Sequence, residues 1–219
     1  PSPHVRRLVS EGTRQRLPWA KRVRLLDERP ERALALVEAL RDDPSSLVRR
    51  SVANHLNDLS KSSPDLFYAV CARWLDGASP ERRKLVEHAL RSAVKRGEAR
   101  SLALLGHGGK PKVAVKEVQI APRAVRIGDK VRVSLALVSE SRRRQSLNVD
   151  LEVLFVKARG TSPRVFKLAR VDLGPSESIE LTKLVSLAVH TTRTPRPGKH
   201  DVAVIINGER YPVGAFRVT

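Results

Sequence analysis

The chain has 219 residues, with 42 Lys and Arg against 23 Asp and Glu, so its formal net charge is +19 at pH 7. Hydrophobic residues make up 41% and charged residues 30% of the sequence, which is enough to bury a core and unlike a disordered chain. The single cysteine, Cys71, excludes an intramolecular disulfide scaffold and indicates a reducing, cytoplasmic compartment. No apolar run approaches the roughly 18 residues of a membrane span, so we expect no membrane association.

The excess of positive charge is shared by both halves of the chain. Residues 1–106 hold 21 Lys and Arg against 13 Asp and Glu, and residues 107–219 hold 21 against 10. The usual partner of so basic a protein is a polyanion, most often nucleic acid. Charge alone leaves open a solubilising basic surface or binding to an anionic membrane.

Up to about residue 106, apolar residues recur at spacings of three and four, which predicts helices. Helix starts are indicated by Asp43-Pro44-Ser45, Ser63-Pro64-Asp65 and Ser79-Pro80-Glu81. The segment PHVRRLV at 3–9 aligns with SLVRRSV at 46–52, a spacing of 43 residues, and 78–83 repeats the pattern more weakly. A period in the low forties built from helix pairs is typical of HEAT-like α-solenoids.

Beyond residue 113 the apolar period becomes two, which predicts strands. The alternating segments are 113–115, 131–137, 149–153, 165–171, 179–187, 202–206 and 211–218. Asn207-Gly208 between the last two is a strong hairpin signal. We therefore expect a multidomain α and β protein, with an α-solenoid of HEAT-like helical repeats over 1–106, a linker over 107–112 and an immunoglobulin-like β-sandwich over 113–219.

A polar stripe runs along the repeats. On a helical wheel of residues 44–60, one side carries Arg50, Asn54 and Asp58 at i, i+4 and i+8. In the preceding repeat, Arg7 and Glu11 occupy the positions equivalent to Arg50 and Asn54. Stacking of the repeats should bring these side chains together: Arg7, Glu11, Arg14, Arg50, Asn54 and Asp58. The alternative is a solvated face whose ion pairs contribute a few tenths of a kcal/mol each.

Two features favour a site over a solvated face. Carboxylates on a surface that meets a polyanion weaken binding unless they have another task. Trp19 also follows closely, beside Pro18, in a chain with few aromatic residues. An exposed Trp can stack on a base or a sugar edge; a core position between helices is the alternative for Trp19.

The blocks VRRLVSEGTRQRLPW at 5–19 and DDPSSLVRRSVANHLNDLSK at 42–61 resemble the HEAT-like-repeat DNA alkylation-repair glycosylases, specifically the AlkC branch, some of whose members carry a C-terminal immunoglobulin-like domain. The resemblance covers the whole chain. It implies lesion-site roles for Glu11, Trp19 and Asp58, and positions facing the DNA backbone for Arg14 and Arg50. Members of this branch have a helical N-terminal portion, with a further acidic site residue, that this sequence lacks. We therefore expect the chain to be the C-terminal part of a longer solenoid.

The resemblance also implies a substrate and a reaction. The substrate would be double-stranded DNA carrying cationic alkylated bases such as 3-methyladenine, 3-methylcytosine and 1-methyladenine, gripped by the concave helical face without full base flipping. A cationic base leaves without a general acid, so carboxylates need only stabilise an oxocarbenium-like sugar and position water. Glu11 and Asp58 are the candidate catalytic residues of a monomeric enzyme without cofactor or metal. A non-catalytic DNA-binding module and a protein-interaction solenoid are the competing hypotheses.

Basic residues also cluster in two predicted loops of the sandwich half. One loop contains Arg142, Arg143 and Arg144, and the other contains Arg193, Arg196 and Lys199. Basic loop tips can follow phosphates or enter a groove. A solvated loop is the alternative for each cluster.

Overall fold

A computed structural model describes residues 2–189 and 194–219, and shows helices followed by strands. The chain divides into two units between Leu105 and Gly106. Within the described residues, none of the helices has the length and apolar character required to cross a membrane.

The first unit consists of helices packed in two rows. The helices are α1 (Pro3–Gly12), α2 (Arg24–Glu28), α3 (Pro30–Glu38), α4 (Ser46–Ser62), α5 (Pro64–Leu75), α6 (Pro80–Lys95) and α7 (Ala99–Leu104). Helices α1, α4 and α6 pack side by side in one row, and α3, α5 and α7 pack against them. The start of α4 follows that of α1 by 43 residues, as the sequence repeat predicts.

The helical core is built from the apolar stripes of these helices. Its largest fully buried side chains include Trp74, Phe67, Leu56 and Leu90. The indole Nε1 of Trp74 lies 3.4 Å from a carboxylate oxygen of Glu38, so the buried ring keeps a partner for its polar atom.

An acidic loop before α4 connects three successive repeats. Arg6 of α1 forms an ion pair with Asp43, its Nε lying 2.5 Å from Oδ2. The adjacent Asp42 accepts hydrogen bonds from Arg82, in the first turn of α6, whose Nε lies 2.7 Å from Oδ1. The Arg6 guanidinium lowers the pKa of Asp43, and the Arg82 guanidinium lowers the pKa of Asp42. These two carboxylates hold the row of α1, α4 and α6 together at one end.

The second unit is a β-sandwich. Its strands are β1 (Val113–Ala121), β2 (Ala124–Val125), β3 (Lys130–Ser139), β4 (Gln145–Val156), β5 (Thr161–Leu173), β6 (Ser178–Ser186), β7 (Gly198–Ile206) and β8 (Glu209–Val218). In the described residues they form sheets in the orders β1-β3-β6 and β2-β8-β7-β4-β5. Only β2 lies outside the predicted strands, because two residues are too few to show an alternating pattern. The fold class predicted from sequence is confirmed.

The alternation of apolar residues determines which face of each strand is buried. Val131, Val133, Leu135 and Leu137 of β3 point into the core, as do alternate residues of β4 and β7. The predicted hairpin between β7 and β8 is also present. Asn207 and Gly208 have φ of 47° and 86°, as a type I′ turn requires.

We predict that Asp43→Asn removes part of the acid dependence of stability. Because the folded-state pKa of Asp43 lies below its unfolded value, its ion pair stabilises the fold above the unfolded pKa of about 4. This contribution disappears as the pH falls through the folded-state pKa. In thermal unfolding, Asp43→Asn should lower Tm at pH 7, and the difference from wild type should shrink below about pH 4.

The control is Asp65→Asn, because the Asp65 side chain is 91% exposed although it pairs with Arg100. This substitution should change Tm little at any pH, since exposed ion pairs contribute little. A constant Tm difference for Asp43→Asn down to the lowest pH would contradict the prediction.

Candidate nucleic-acid interface and its acidic pair

Two carboxylates from neighbouring repeats share one arginine. Glu11 lies at the end of α1, Asp58 lies in α4, and Arg14 follows α1 by two residues. The Nη1 of Arg14 is 3.1 Å from Oε2 of Glu11, and its Nε is 2.8 Å from Oδ2 of Asp58. The exposed fractions of the three side chains are 13% for Arg14, 19% for Glu11 and 6% for Asp58. We call these three residues the Arg14 cluster.

Burial lowers the pKa of Arg14, but its hydrogen bonds to Asp58 and Glu11 outweigh this effect and raise the pKa above its usual value. The guanidinium therefore stays charged between the two carboxylates. The resemblance implies that Arg14 faces the DNA backbone, whereas in the structure its side chain is largely buried between the two carboxylates.

A buried hydrogen-bond network fixes Glu11 from the other side. Ser51 donates its hydroxyl proton to Oε1 of Glu11 at 2.9 Å, and the Ser51 and Ser10 hydroxyl oxygens are 2.5 Å apart. Nδ1 of His55 lies 3.1 Å from the carbonyl oxygen of Ser10. Burial lowers the pKa of His55, so the ring is neutral near pH 7 and donates from Nδ1. His55 thus packs beneath the site.

Two further cations lie at the edge of the Arg14 cluster. Nη2 of Arg7 is 3.9 Å from Oε1 of Glu11, and Nζ of Lys61 is 4.0 Å from Oδ1 of Asp58. These distances exceed those of hydrogen bonds, and 46% of the Arg7 and 42% of the Lys61 side chain are exposed. Arg7 therefore lies near Glu11, within the group of side chains that stacking is expected to bring together, whereas Lys61 was not identified from the sequence.

The loop after α1 presents Trp19 to solvent. Its start is anchored by the buried Gln15, whose Nε2 donates to the Leu26 carbonyl at 2.6 Å and whose Oε1 accepts from the Ser62 hydroxyl at 2.5 Å. Trp19 is fully exposed and has a φ of 66°, a conformation that costs a residue other than glycine about 1 kcal/mol or more. The core alternative for Trp19 is excluded; Trp74 is the core tryptophan.

The polar stripe continues onto α6 beyond the predicted residues. Nη2 of Arg91 donates to Oδ1 of Asn54 at 3.0 Å. The sequence predicts that Asn54 joins the acidic pair, but its side chain instead binds α6. Burial, together with the nearby Arg14 and Arg50, lowers the pKa of Arg91. Extending the wheel by one repeat could have found Arg91, but the third repeat is weak in sequence.

Arg50 occupies an open position on the same row. Together with Lys84 and His88 of α6 it lines a cleft of about 220 Å³. Burial and the adjacent Arg91 and Arg50 lower the pKa of His88. The basic side chains here are spaced along two adjacent helices, an arrangement suited to binding anions.

The basic loops of the second unit differ from each other. Arg142, Arg143 and Arg144 connect β3 to β4 and are exposed. Arg144 points back, with Nη2 3.5 Å from a carboxylate oxygen of Glu177. These residues form a basic turn, as the sequence predicts.

In the other predicted loop, Lys199 is instead part of strand β7, where its Nζ lies 2.9 Å from Oδ1 of Asp201. The strand begins at Gly198, which pairs with Val218 of β8, so the hydrogen-bonded ladder extends further than the apolar alternation indicated. Arg196 is exposed in the preceding loop, and its carbonyl oxygen lies 3.1 Å from Nε2 of His200. Arg193 lies outside the described residues.

We predict that Trp19 carries the solvent-exposed tryptophan emission of this protein. Trp19→Phe should remove the red-shifted emission that acrylamide quenches and leave the blue-shifted emission of the buried Trp74. The free energy of unfolding should change by no more than about 0.5 kcal/mol, as for other exposed positions. Emission that stays equally quenchable in Trp19→Phe would contradict the exposure of Trp19.

Comparisons with known proteins agree with this architecture. Residues 114–219 match the family described as uncharacterised protein YhaZ, C-terminal Ig-like domain. The uncharacterized protein YhaZ of Bacillus subtilis (strain 168) is 37% identical over 207 residues, which cover 94% of this chain and 57% of YhaZ.

Among solved structures, the Pseudomonas fluorescens alkylpurine DNA glycosylase AlkC, bound to DNA containing an abasic site analog, is similar over the whole chain. The TM-score is 0.92 at 36% identity, covering 100% of this chain and 61% of AlkC. The chain thus spans about three fifths of the length of these relatives. In its helical repeats and its immunoglobulin-like unit, the chain is therefore similar to AlkC over its whole length.

Proposed function

We propose that this protein is a monomeric DNA N-glycosylase that removes cationic alkylated bases, among them 3-methyladenine, 3-methylcytosine and 1-methyladenine, from double-stranded DNA. The similarity to an alkylpurine DNA glycosylase supports this assignment. The main observation behind it is that Glu11 and Asp58, carboxylates on two adjacent helices, are held together by the largely buried Arg14.

The charge of the Arg14 cluster suits such a substrate. Its two carboxylates and one guanidinium give a net charge of −1. Arg7 and Lys61, which would offset this charge, are exposed and only loosely paired. Phosphates compete for such exposed cations, so bound DNA would leave a negative site facing the duplex. At an effective dielectric constant near 20, one unit charge stabilises an opposite charge at 4 Å by about 4 kcal/mol.

The proposed reaction needs little proton transfer. The bond between C1′ and the base nitrogen breaks, its electron pair neutralises the cationic base, and the sugar becomes an oxocarbenium ion. The carboxylates stabilise that cation and accept a proton from the water that attacks C1′. Trp19, exposed on the loop that follows α1, would stack on a base or sugar edge of the lesion site. Arg7 and Arg50 would contact the DNA backbone.

A non-catalytic DNA-binding module is the second candidate. It is favoured by the contacts of Arg14, which occupy one oxygen of each carboxylate as in a structural ion-pair network. The two candidates differ in what happens when a carboxylate is replaced by its amide.

We predict that Glu11→Gln and Asp58→Asn each reduce the single-turnover rate of base release by about 100-fold or more, the scale at which an electrostatic catalytic contact contributes. Affinity for undamaged duplex should be equal or tighter, because a negative charge near phosphate is removed. The measurements are chromatography of bases released from methylated duplex DNA and a DNA-binding titration.

Asp65→Asn, an exposed carboxylate on α5, is the matched control and should release base at the wild-type rate. Undiminished release in both Glu11→Gln and Asp58→Asn would reject the catalytic assignment. If the wild-type chain binds DNA but releases no base, the binding-module candidate is favoured.

We also predict that the basic turn between β3 and β4 contributes to DNA affinity. Replacing Arg142, Arg143 and Arg144 with Ala should weaken binding and reduce the slope of log K against log salt by about 2 to 3, since each lost phosphate contact reduces it by about 1. The control replaces three other exposed cations of this unit, Arg123, Arg126 and Lys130, and so removes the same charge. An equal loss for both triples would show that only net charge matters.

A further inference from the structure

The placement of Arg14 does not fit a residue that contacts DNA. The resemblance to AlkC implies that Arg14 and Arg50 both face the DNA backbone. In the structure Arg50 is exposed beside an open cleft, whereas only 13% of the Arg14 side chain is exposed. The guanidinium of Arg14 is directed to Glu11 and Asp58, on two different repeats.

We propose that Arg14 is a positioning residue: it holds Glu11 and Asp58 in their reactive arrangement from within the protein and does not contact a DNA phosphate. This inference rests on the proposed glycosylase function, in which the two carboxylates act on the sugar and water. Arg14 would act on the reaction only through them.

The geometry of a guanidinium suits this task. Nε and Nη1 belong to one rigid plane, so their bonds to Asp58 and Glu11 fix the separation and relative orientation of the two carboxylates. Lysine would present one flexible ammonium and could not impose the same arrangement.

The backbone around Arg14 is itself held in place. The amide of Arg14 donates to the carbonyl of Glu11 at 3.2 Å. The next residue, Gln15, is bonded to Ser62 at the end of α4 and to the carbonyl of Leu26. The backbone of Arg14 is therefore held in place, so its side-chain hydrogen bonds also fix the positions of the Glu11 and Asp58 carboxylates.

The charges around the site also indicate that Arg14 keeps the two carboxylates together. Without Arg14, two largely buried carboxylates on adjacent helices would face each other. In the described part of the chain, the remaining cations near them are Arg7, Lys61 and Arg91. Arg7 and Lys61 are both at the limit of ion pairing, and Arg91 interacts with the charge of Asp58. DNA phosphates would compete for Arg7 and Lys61. The carboxylates would then repel each other, and their arrangement would be lost when DNA binds.

The test compares Arg14→Gln and Arg14→Lys with Arg50→Gln as the matched control, using single-turnover base release, affinity for undamaged duplex and its salt dependence. Arg14→Gln should slow base release by about 100-fold at saturating DNA, with affinity within about threefold and an unchanged salt slope. Arg14→Lys should recover less than about a tenth of the wild-type rate, because the charge returns without the planar fork. Arg50→Gln should weaken DNA binding and reduce the salt slope by about 1, as the loss of one phosphate contact requires.

The double variant Glu11→Gln/Arg14→Gln separates positioning from general loss of structure. If Arg14 acts through the carboxylates, the double variant should release base at a rate close to that of Glu11→Gln, so the effects are not additive. Thermal unfolding of each variant identifies any that does not fold. If Arg14→Gln does not fold, Arg14→Lys still tests the proposal, because it keeps the positive charge between the carboxylates.

A salt slope reduced by about 1 in Arg14→Gln would overturn the proposal, because it would show a phosphate contact. A wild-type rate in Arg14→Lys would also overturn it. If the wild-type chain releases no base, the proposed glycosylase function fails instead, and the salt slopes still decide whether Arg14 contacts DNA.

Discussion

The ion pairs of Arg14 with Glu11 and Asp58 are the interaction on which the site depends. In a chain with a net charge of +19, two neighbouring carboxylates on a basic surface repel each other and attract every mobile cation nearby. One guanidinium placed between them removes the repulsion and sets their separation. It can do so only because α1 and α4 stack closely enough for residues 44 positions apart to form a hydrogen bond. The packing of the repeats thus determines the chemistry of the site.

The rest of the helical unit maintains that packing. Asp42 and Asp43 bind arginines of the preceding and following repeats, and the buried Trp74 and Phe67 fill the core behind α4. The network through Ser51 ties Glu11 to α4 as well. These contacts make the acidic pair a rigid feature of two stacked helices, whereas Trp19 lies on a loop. A fixed acidic pair, with an exposed aromatic ring on the loop that follows α1, suits the proposed reaction, in which charge must be stabilised and a lesion must be contacted.

Much of the fold could be predicted from the sequence because the signals are local. Alternation of apolar residues identifies strands such as β3, the pair Asn207-Gly208 specifies its turn, and the 43-residue repeat relates α1 to α4. The two-residue strand β2 gives no such signal. The end of a strand can also extend past its alternating residues, which is why Lys199 belongs to β7 and not to a loop.

The site could be predicted less completely, because a helical wheel shows which residues share a face but not which partner each side chain binds. The stripe correctly groups Glu11 and Asp58 on adjoining helices. It could not show that Arg14 turns inward between them, or that Asn54 turns to Arg91 of the next repeat. Those choices depend on the rotation and offset of stacked helices, which arise from core packing across the repeats. Exposure of Trp19 likewise depends on a backbone conformation with positive φ that composition does not reveal.

The most direct test of the central claim is single-turnover base release from a methylated duplex by Glu11→Gln/Asp58→Asn, measured at DNA concentrations that saturate the variant. We predict that DNA binding is retained, while release falls to the rate of spontaneous depurination of the same DNA. Release at the wild-type rate by this variant would contradict the account, because the acidic pair would then have no part in the chemistry.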